Sequence, residues 1–473
     1  MTGASNKKKV TIALTTSTVC FVVLWWFFLL DRVNFTSHVV EFEQQEQQQD
    51  LSEHCTIPYP GKPLIQYAVM LDAGSSGSRV HIYKFNHCKK EPELEDEVFR
   101  MLEPGLSSFA NDPQAAAQSL DELLDLAVES VPATLHHCTP IALKATAGLR
   151  LLPEEQQNQI LSSVRQRMEE RYPFPIAEKG GVEIMDGKEE GVFAWITVNY
   201  LLGKFKQSEF GNSVATFDLG GASTQIVFEP EFANEEHMLP GEHAYQLDYG
   251  INTHLLYQHS YLGFGLKEAR KGIKQEMINL WESEASASGR VFHPCLPDGY
   301  TELVDWTHGN KTKKVEMVGT GAGHSACRGV IERFFGKDKA CKQAPCAFDG
   351  VYQPSLSDTF NNRDLYIFSF FYDLTQPLGM PTEFSVRELG EFANRVCNAN
   401  MEAFQHIPNA LGIIKKSPDY CLDLTFTHAL LRIGYDIPPE RLVRTAKKIN
   451  DAETGWCLGA SITMIDNHQL CKI

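Results

Sequence analysis

Two stretches of this chain set a carboxylate at the end of an apolar run and follow it with glycines and hydroxyls. The first is Asp72-Ala73-Gly74-Ser75-Ser76-Gly77-Ser78-Arg79, between Tyr67-Ala68-Val69-Met70-Leu71 and Val80-His81-Ile82-Tyr83. The second is Asp218-Leu219-Gly220-Gly221-Ala222-Ser223-Thr224-Gln225, between Ser213–Phe217 and Ile226-Val227-Phe228. Glycine lets a backbone come close to a bulky anion, and the freed N–H groups then point at it. The hydroxyls of Ser75, Ser76, Ser78, Ser223 and Thr224 add donors. An aspartate beside phosphate is repulsive unless a cation stands between them, so Asp72 and Asp218 predict a shared divalent ion. Magnesium or calcium suits such oxygen ligands and keeps several waters; the sequence does not choose among calcium, magnesium and manganese. An ordinary β-turn is the other reading of either hairpin alone. Finding the design twice favours the anion-binding one.

Two further stretches could complete such a site. Pro140-Ile141-Ala142-Leu143 reads as a buried strand, and Lys144-Ala145-Thr146-Ala147-Gly148-Leu149-Arg150 follows it with small residues and a hydroxyl. That is either a second phosphate-side loop or a plain strand-to-helix connection. In Met185-Asp186-Gly187-Lys188-Glu189-Glu190-Gly191-Val192-Phe193-Ala194-Trp195-Ile196-Thr197-Val198-Asn199-Tyr200-Leu201, the apolar residues have helical spacing. Glu189 and Glu190 then sit in the first turn, where acids favour the helix dipole. That accounts for Glu189. Glu190, next to Gly191, can instead point into a cleft, where a carboxylate near the terminal phosphate holds and deprotonates water.

The elements that position these residues follow from the repeat. Asp72 and Asp218 are separated by about the length of one domain, so the simplest arrangement is two related domains facing each other across a cleft. A chain of 473 residues exceeds a single core. A formal net charge of -17 argues against nucleic acid, whose phosphates are met by Lys and Arg. At the N-terminus, Lys7, Lys8 and Lys9 precede an apolar run from Val10 to Leu30, long enough to cross a bilayer, with Trp25 and Trp26 towards its far end. A cleaved signal peptide is the alternative, but no small-x-small cleavage site is evident. The lysines keep the short side cytosolic and the bulk of the chain lumenal. Val40–Asp50 is polar and low in complexity, a stalk that cannot bury a core. The chain has 12 cysteines, and Cys20 lies in the span. The other cysteines face an oxidising lumen, where disulfides are expected. Asn34 and Asn310 stand in sequons on the same side. The pairing of Cys55, Cys88, Cys138, Cys457 and Cys471 stays open.

Taken in order, DAGSSGSR, KATAGLR, the MDGKEEGVFAWITVNYL helix and DLGGASTQI resemble the conserved regions of the apyrases, the nucleoside tri- and diphosphate diphosphohydrolases. Asn450-Asp451-Ala452-Glu453-Thr454-Gly455-Trp456-Cys457-Leu458-Gly459-Ala460 is similar to a fifth such region. The likeness runs from about Tyr67 to the end. Within the family, the single N-terminal anchor and Phe368-Ser369-Phe370-Phe371-Tyr372-Asp373-Leu374 resemble the Golgi guanosine diphosphatases of the fungal type.

The resemblance implies an α/β fold of two ribonuclease-H-like domains of the actin/Hsp70 type, with an interdomain cleft and one preceding transmembrane helix. The segments expected are a cytosolic tail 1–9, an anchor 10–30, a lumenal stalk 31–64, a first domain 65–205 completed by about 450–473, and a second domain 206–449. By motif position, Glu190 is the catalytic base and Ser223 helps hold the attacking water. Asp72 and Asp218 bind the metal, largely through its waters. Ser75, Ser76, Gly77, Ser78, Arg79, Thr146, Ala147, Gly220, Gly221, Ala222 and Gln225 are placed around the substrate. Tyr372 and Phe426 match two aromatic positions that sandwich the base in relatives; core packing is their other reading. Cys295–Cys327 and Cys397–Cys421 match the family's bridges, and Cys341 and Cys346 are an extra pair that can close locally. The activity implied is divalent-cation-dependent hydrolysis of nucleoside diphosphates, GDP and UDP ahead of ATP, in the Golgi lumen. A broader apyrase is the near alternative. A carbohydrate kinase and a non-enzymatic nucleotide binder are more distant ones.

Overall fold

The computed structural model describes residues 52–206, 211–233, 237–249, 252–308, 311–466 and 471. The expected tail, the anchor 10–30 and both sequon asparagines lie outside the described residues. Among the described residues, no helix is long and apolar enough to cross a membrane.

The chain divides into two compact units. The small one contains 52–65 and 86–93. The Cys55–Cys88 disulfide closes it, with hydrogen bonds from Tyr59 N to His87 O at 2.7 Å and from His87 N to Leu64 O at 3.1 Å. Part of the segment expected as stalk, 52–64, therefore carries fixed structure of its own.

Among the described residues, the large unit carries two mixed sheets, a small three-stranded one and a two-stranded ribbon of Lys448–Ile449 with Ala452–Glu453. The strands are β1 (Ile65–Ala73), β2 (Ser78–Asn86), β3 (Glu93–Leu102), β4 (Ile141–Ala145), β5 (Val182–Ile184), β6 (Ala215–Leu219), β7 (Ser223–Phe228), β8 (Ala244–Tyr249), β9 (Asn252–Leu262), β10 (Arg290–His293), β11 (Thr301–His308), β12 (Lys311–Gly319), β13 (Leu365–Ser369), β14 (Glu383–Ser385) and β15 (Leu442–Thr445). The first sheet runs β3-β2-β1-β4-β5, and the second β14-β15-β13-β6-β7-β9-β8. Within the second, β9-β7-β6-β13-β15 repeats the order of the first, with β8 and β14 added at the edges. The duplication seen in two hairpins thus extends to whole sheets. In both, the hairpin's first strand pairs in parallel with the next strand inward: β1 with β4, β6 with β13. Such inner strands are covered on both faces and need continuous apolar runs. Every residue of β1 and of β6 is buried.

The helices that bear on the site are α1 (Ala147–Arg150), α2 (Gly187–Leu201), α3 (Leu266–Leu280), α4 (His324–Phe334), α5 (Phe370–Thr375), α6 (Val386–Cys397), α7 (Tyr420–Ala429) and α8 (Cys457–Asp466). Asp186 caps α2 by accepting from Lys188 N at 3.1 Å. This helix is apolar nearly all round, and such helices are buried. Val192, Trp195 and Ile196 pack on Val227 of β7 and Leu256 of β9. Ala194, Val198 and Leu201 pack with Leu458, Ile462 and Ile465 of α8 and with Ala68 and Met70 of β1. Gripped on every side, α2 holds its first turn at a fixed place beside both hairpins. A larger core fills the space around the second sheet and α3, α4, α6 and α7.

Among the described residues five disulfides are formed: Cys55–Cys88, Cys138–Cys471, Cys295–Cys327, Cys341–Cys346 and Cys397–Cys421. The three pairs expected from likeness and local spacing are among them. Cys457 is free and buried.

Candidate active site

Asp72 and Asp218 are the next-to-last residues of β1 and β6. Each turn is closed by one backbone hydrogen bond, Gly74 N to Gly77 O at 3.0 Å and Gly220 N to Ser223 O at 3.1 Å. The two turns touch. A Cβ built on Gly221 would stand 2.3 Å from Ser75 Oγ, so glycine lets the second hairpin come this close while the Ser75 hydroxyl keeps its place. The α1 loop joins them: Gly148 lies where a Cβ would be 2.7 Å from Ser75 Cα, and Thr146 N donates to Ala73 O at 3.2 Å. The backbone N–H groups of Leu266 and Lys267, at the start of α3, donate to the carbonyls of Gly220 and Gly221 at 2.9 and 2.8 Å. The start of α3 therefore fixes the second turn from behind.

Three buried carboxylates converge here. Asp72, Glu190 and Asp218 are 8%, 7% and 8% exposed. Burial pushes Glu190 up to about 8; Arg150 opposes this, and the charges of Asp218 and Asp72 add to it. Burial raises Asp218 to about 6, with a hydrogen bond from Ser369 pulling down and Asp72 pushing up. Asp72 is also raised by burial, against the Arg79 guanidinium, which donates to Asp72 Oδ2 at 2.9 Å. Glu190 thus registers the charge of both aspartates, and Asp218 that of Asp72, as carboxylates sharing a site do. Asp72 Oδ1 and Asp218 Oδ1 are buried and have no hydrogen-bond partner among the described residues. A buried carboxylate oxygen without a partner is costly, and a hard cation with its waters satisfies both. The donor set fits the divalent ion implied by the hairpins. Among the described residues, no three His, Cys, Asp or Glu side chains gather closely enough to ligate an ion directly.

Around the carboxylates, Gln225 Nε2 donates to Ser223 Oγ at 2.7 Å and to Ser260 Oγ at 2.9 Å. Its Oε1 is buried without a partner among the described residues. Gly191 brings α2 against this strand: a Cβ there would meet Val227 Cγ2 at 2.9 Å and Gln225 Cβ at 3.3 Å. Glu190 directly precedes the glycine that meets Gln225, and Arg150 of α1 forms an ion pair with it. Arg79 Nη2 reaches Ser76 Oγ at 3.4 Å, while Ser78 Oγ is buried without a described partner. Thr146, Ala147 and Ala222 are buried at the same junction. Glu189 is half-buried, as a first-turn acid should be.

Tyr372 is half-buried on α5, which starts directly after Ser369. Phe426 corrects an expectation. It is fully buried on α7 and stacks on Phe335, with ring centroids 5.7 Å apart. A ring enclosed by core aromatics cannot offer a face to a base, so Phe426 is a packing residue. Sequence reasoning also missed Arg150, Ser369 and Lys267. The Lys267 side chain runs past the second turn, with Cδ 3.6 Å from a Cβ built on Gly221. Ser369 sits at φ 59, ψ -126, an unusual backbone for a residue with a side chain. The Arg of KATAGLR was the available signal in the sequence. The fifth motif lies behind the site: Glu453 N donates to Glu97 Oε2 at 2.6 Å, and Glu97 Oε1 meets His81 Nδ1 at 2.6 Å.

Comparison with known proteins agrees with this geometry. Residues 62–472 match the family model described as GDA1/CD39 (nucleoside phosphatase). A guanosine-diphosphatase of Schizosaccharomyces pombe is 47% identical over 427 residues, covering 88% of this chain and 76% of that protein. A guanosine-diphosphatase of Saccharomyces cerevisiae is 46% identical over 426 residues, covering 86% and 82%. A crystal structure of nucleoside triphosphate hydrolases from Neospora caninum superposes with a TM-score of 0.61 at 16% identity, over 90% of this chain and 96% of that one, which establishes the shared mixed α/β fold. A family match across almost all of the chain from Lys62 onward, joined to two glycine-rich hairpins around three buried carboxylates, makes this chain a member of the GDA1/CD39 nucleoside phosphatase family.

Proposed function

We propose that this chain hydrolyses the terminal phosphate of nucleoside diphosphates, GDP and UDP, to the monophosphate and inorganic phosphate. The observation that carries the reading is the meeting of Asp72, Asp218 and Glu190 beneath two hydroxyl-lined turns. The names of the fungal relatives point to GDP.

The roles follow from the contacts. The hydroxyls and backbone of Ser75–Arg79, with Thr146, Ala147 and Gly220–Ala222, face the phosphates. Ser223 Oγ accepts from Gln225, so its own proton is free to donate. Gln225 Oε1 is an unused acceptor beside it. A water lying between Ser223 and Gln225 is thus held by one donor and one acceptor, next to Glu190. Ionised Glu190 takes the proton of that water as its oxygen bonds to the terminal phosphorus, and the bridging oxygen leaves with the monophosphate. Arg150 favours the ionised form of Glu190. A divalent ion held by Asp72 and Asp218, magnesium, calcium or manganese, would supply charge neutralisation for the departing and transferring groups. Tyr372, half-buried on α5, would meet the base in this reading.

The reading places the catalytic part in the Golgi lumen, anchored by the span at 10–30. Five disulfides support an oxidising compartment. There, converting GDP to GMP removes an inhibitory product of glycosyl transfer.

The test is phosphate release from a panel of GDP, UDP, ADP, GTP and ATP by the purified chain, with and without chelator. Diphosphates ahead of triphosphates, and loss of turnover in chelator, are expected; equal rates on triphosphates would make it a broad apyrase. Glu190→Gln should lower kcat by roughly a hundredfold or more while the protein stays folded. Full turnover in that variant would remove Glu190 as the base.

A further inference from the structure

One cation stands at the junction of the two turns without a carboxylate of its own. Lys267 is the second residue of α3, and its backbone N–H donates to Gly221 O at 2.8 Å. Its side chain then runs along the tip of the second turn. The point where a Cβ on Gly221 would stand lies 2.3 Å from Ser75 Oγ and 3.6 Å from Lys267 Cδ. The aliphatic stem therefore passes the place where the two turns touch. The residue is exposed, so the ammonium at its end is within reach of a ligand. An acid comes to the same junction from the first sheet. The loop that follows β3 sits on the first turn: a Cβ on Gly105 would lie 2.2 Å from Gly74 O and 3.1 Å from Gly77 N. A Cβ on Gly77 would lie 2.6 Å from Leu102 O and 3.5 Å from Glu103 Cγ. Backbone contact thus holds Glu103 beside the first turn, as α3 holds Lys267 beside the second. Glu103 is exposed too.

The charges around Lys267 are unevenly shared. Partial burial is the first cause that lowers its ammonium; Glu103 opposes it, and Arg270, Arg79 and Lys271 add to it. Each of those three cations has an acid in contact: Arg270 has Asp423 at 2.5 Å, Arg79 has Asp72 at 2.9 Å and Lys271 has Glu268 at 2.5 Å. Among the described residues, neither Lys267 nor Glu103 has an ion-pair partner. Glu103 is near enough for Lys267 to register its charge and too far to pair with it. An ammonium among like charges is held there at a cost, and a phosphate oxygen arriving over the turns is the partner it lacks. A lysine meets phosphate as a compact point charge on a flexible stem, so it needs no fixed fork geometry to do so.

We propose that Lys267 binds the substrate: its ammonium closes on a phosphate oxygen of the nucleotide where the two turns meet, and Glu103 competes for that ammonium. The proposal deepens the nucleoside-diphosphatase reading and rests on it. Lys267 adds to the affinity for the diphosphate, and Glu103 subtracts from it through Lys267.

Isothermal titration of a GDP analogue with a methylene in place of the bridging oxygen, into the purified full-length chain with magnesium, tests the contact without turnover. GDP kinetics test it with turnover. Lys267→Met should weaken analogue binding and raise KM for GDP, each about tenfold. The loss should sit in KM rather than kcat, because the backbone N–H that ties the turn is kept. Lys267→Arg, which keeps the charge, should bring KM back to within about threefold of wild type. Glu103→Gln should act in the opposite sense and tighten the analogue by about threefold. That tightening should vanish in the Lys267→Met background. Equal analogue binding by wild type and Lys267→Met would overturn the contact and leave the diphosphatase reading standing. A wild-type chain that neither binds the analogue nor releases phosphate from GDP would overturn both. Tightening by Glu103→Gln that persists without Lys267 would overturn the competition between them.

Discussion

At the scale of single residues, the site is a balance between burial, which keeps carboxylates protonated, and guanidinium groups, which ionise them. Glu190 must lose its proton to act, and Arg150 is the group that favours that loss. Arg150→Met should therefore move the rising limb of the pH–rate profile to higher pH, because removing the positive partner raises the carboxyl further. A limb that stayed in place would show that Arg150 does not set the charge of Glu190. The sequence distinguished Glu190 from Glu189 because Gly191 follows the first and leaves room on one side. Spacing could not reveal Arg150 as its partner. That contact spans 40 positions and depends on α1 and α2 arriving at one junction. Ser369 and Lys267 were hidden for the same reason, since neither belongs to a strand-end motif that also carries an acid.

At the scale of elements, two turns from different sheets press backbone against side chain. Gly221→Ala would place a methyl group on Ser75 Oγ. Rotation of the serine relieves the overlap, so unfolding midpoints should hardly change. The hydroxyl, however, leaves its place beside the phosphates, and phosphate release should fall by roughly ten- to a hundredfold. Equal turnover in Gly221→Ala would mean that the contact between the turns is incidental. Phe426 belongs to the packing of α7 instead. Phe426→Ala should cost about 3–5 kcal/mol in denaturant unfolding, with KM for GDP unaltered in the folded fraction. A selective rise in KM would return it to the base site. The hairpins were legible because glycine, hydroxyl and acid follow one another within eight residues. Phe426 misled because an aromatic in an apolar helical run has the same pattern whether it lines a cleft or fills a core.

At the scale of the molecule, the site joins two sheets through charges of one sign. Without a cation, stability should decline as pH rises from about 4 towards about 8, because protonated Asp218 and Glu190 suit the buried site and the unfolded chain holds them ionised. Melting temperature measured in chelator across that range checks this, and added divalent ion should raise it most at the alkaline end. A flat profile would mean that the carboxylates are solvated. The duplicated topology was readable from the two hairpins, whereas Cys138–Cys471 was not, since its cysteines are 333 positions apart and no local pattern pairs them. That bond and α8 together have a consequence for biosynthesis. The helix that packs on α2 and β1, and the Cys138–Cys471 bond beyond it, come after the second sheet in the chain. The second sheet can mature first, but the base-bearing helix waits with one flank bare until α8 has been made. Nascent protein held at that stage is the form most exposed to misassembly.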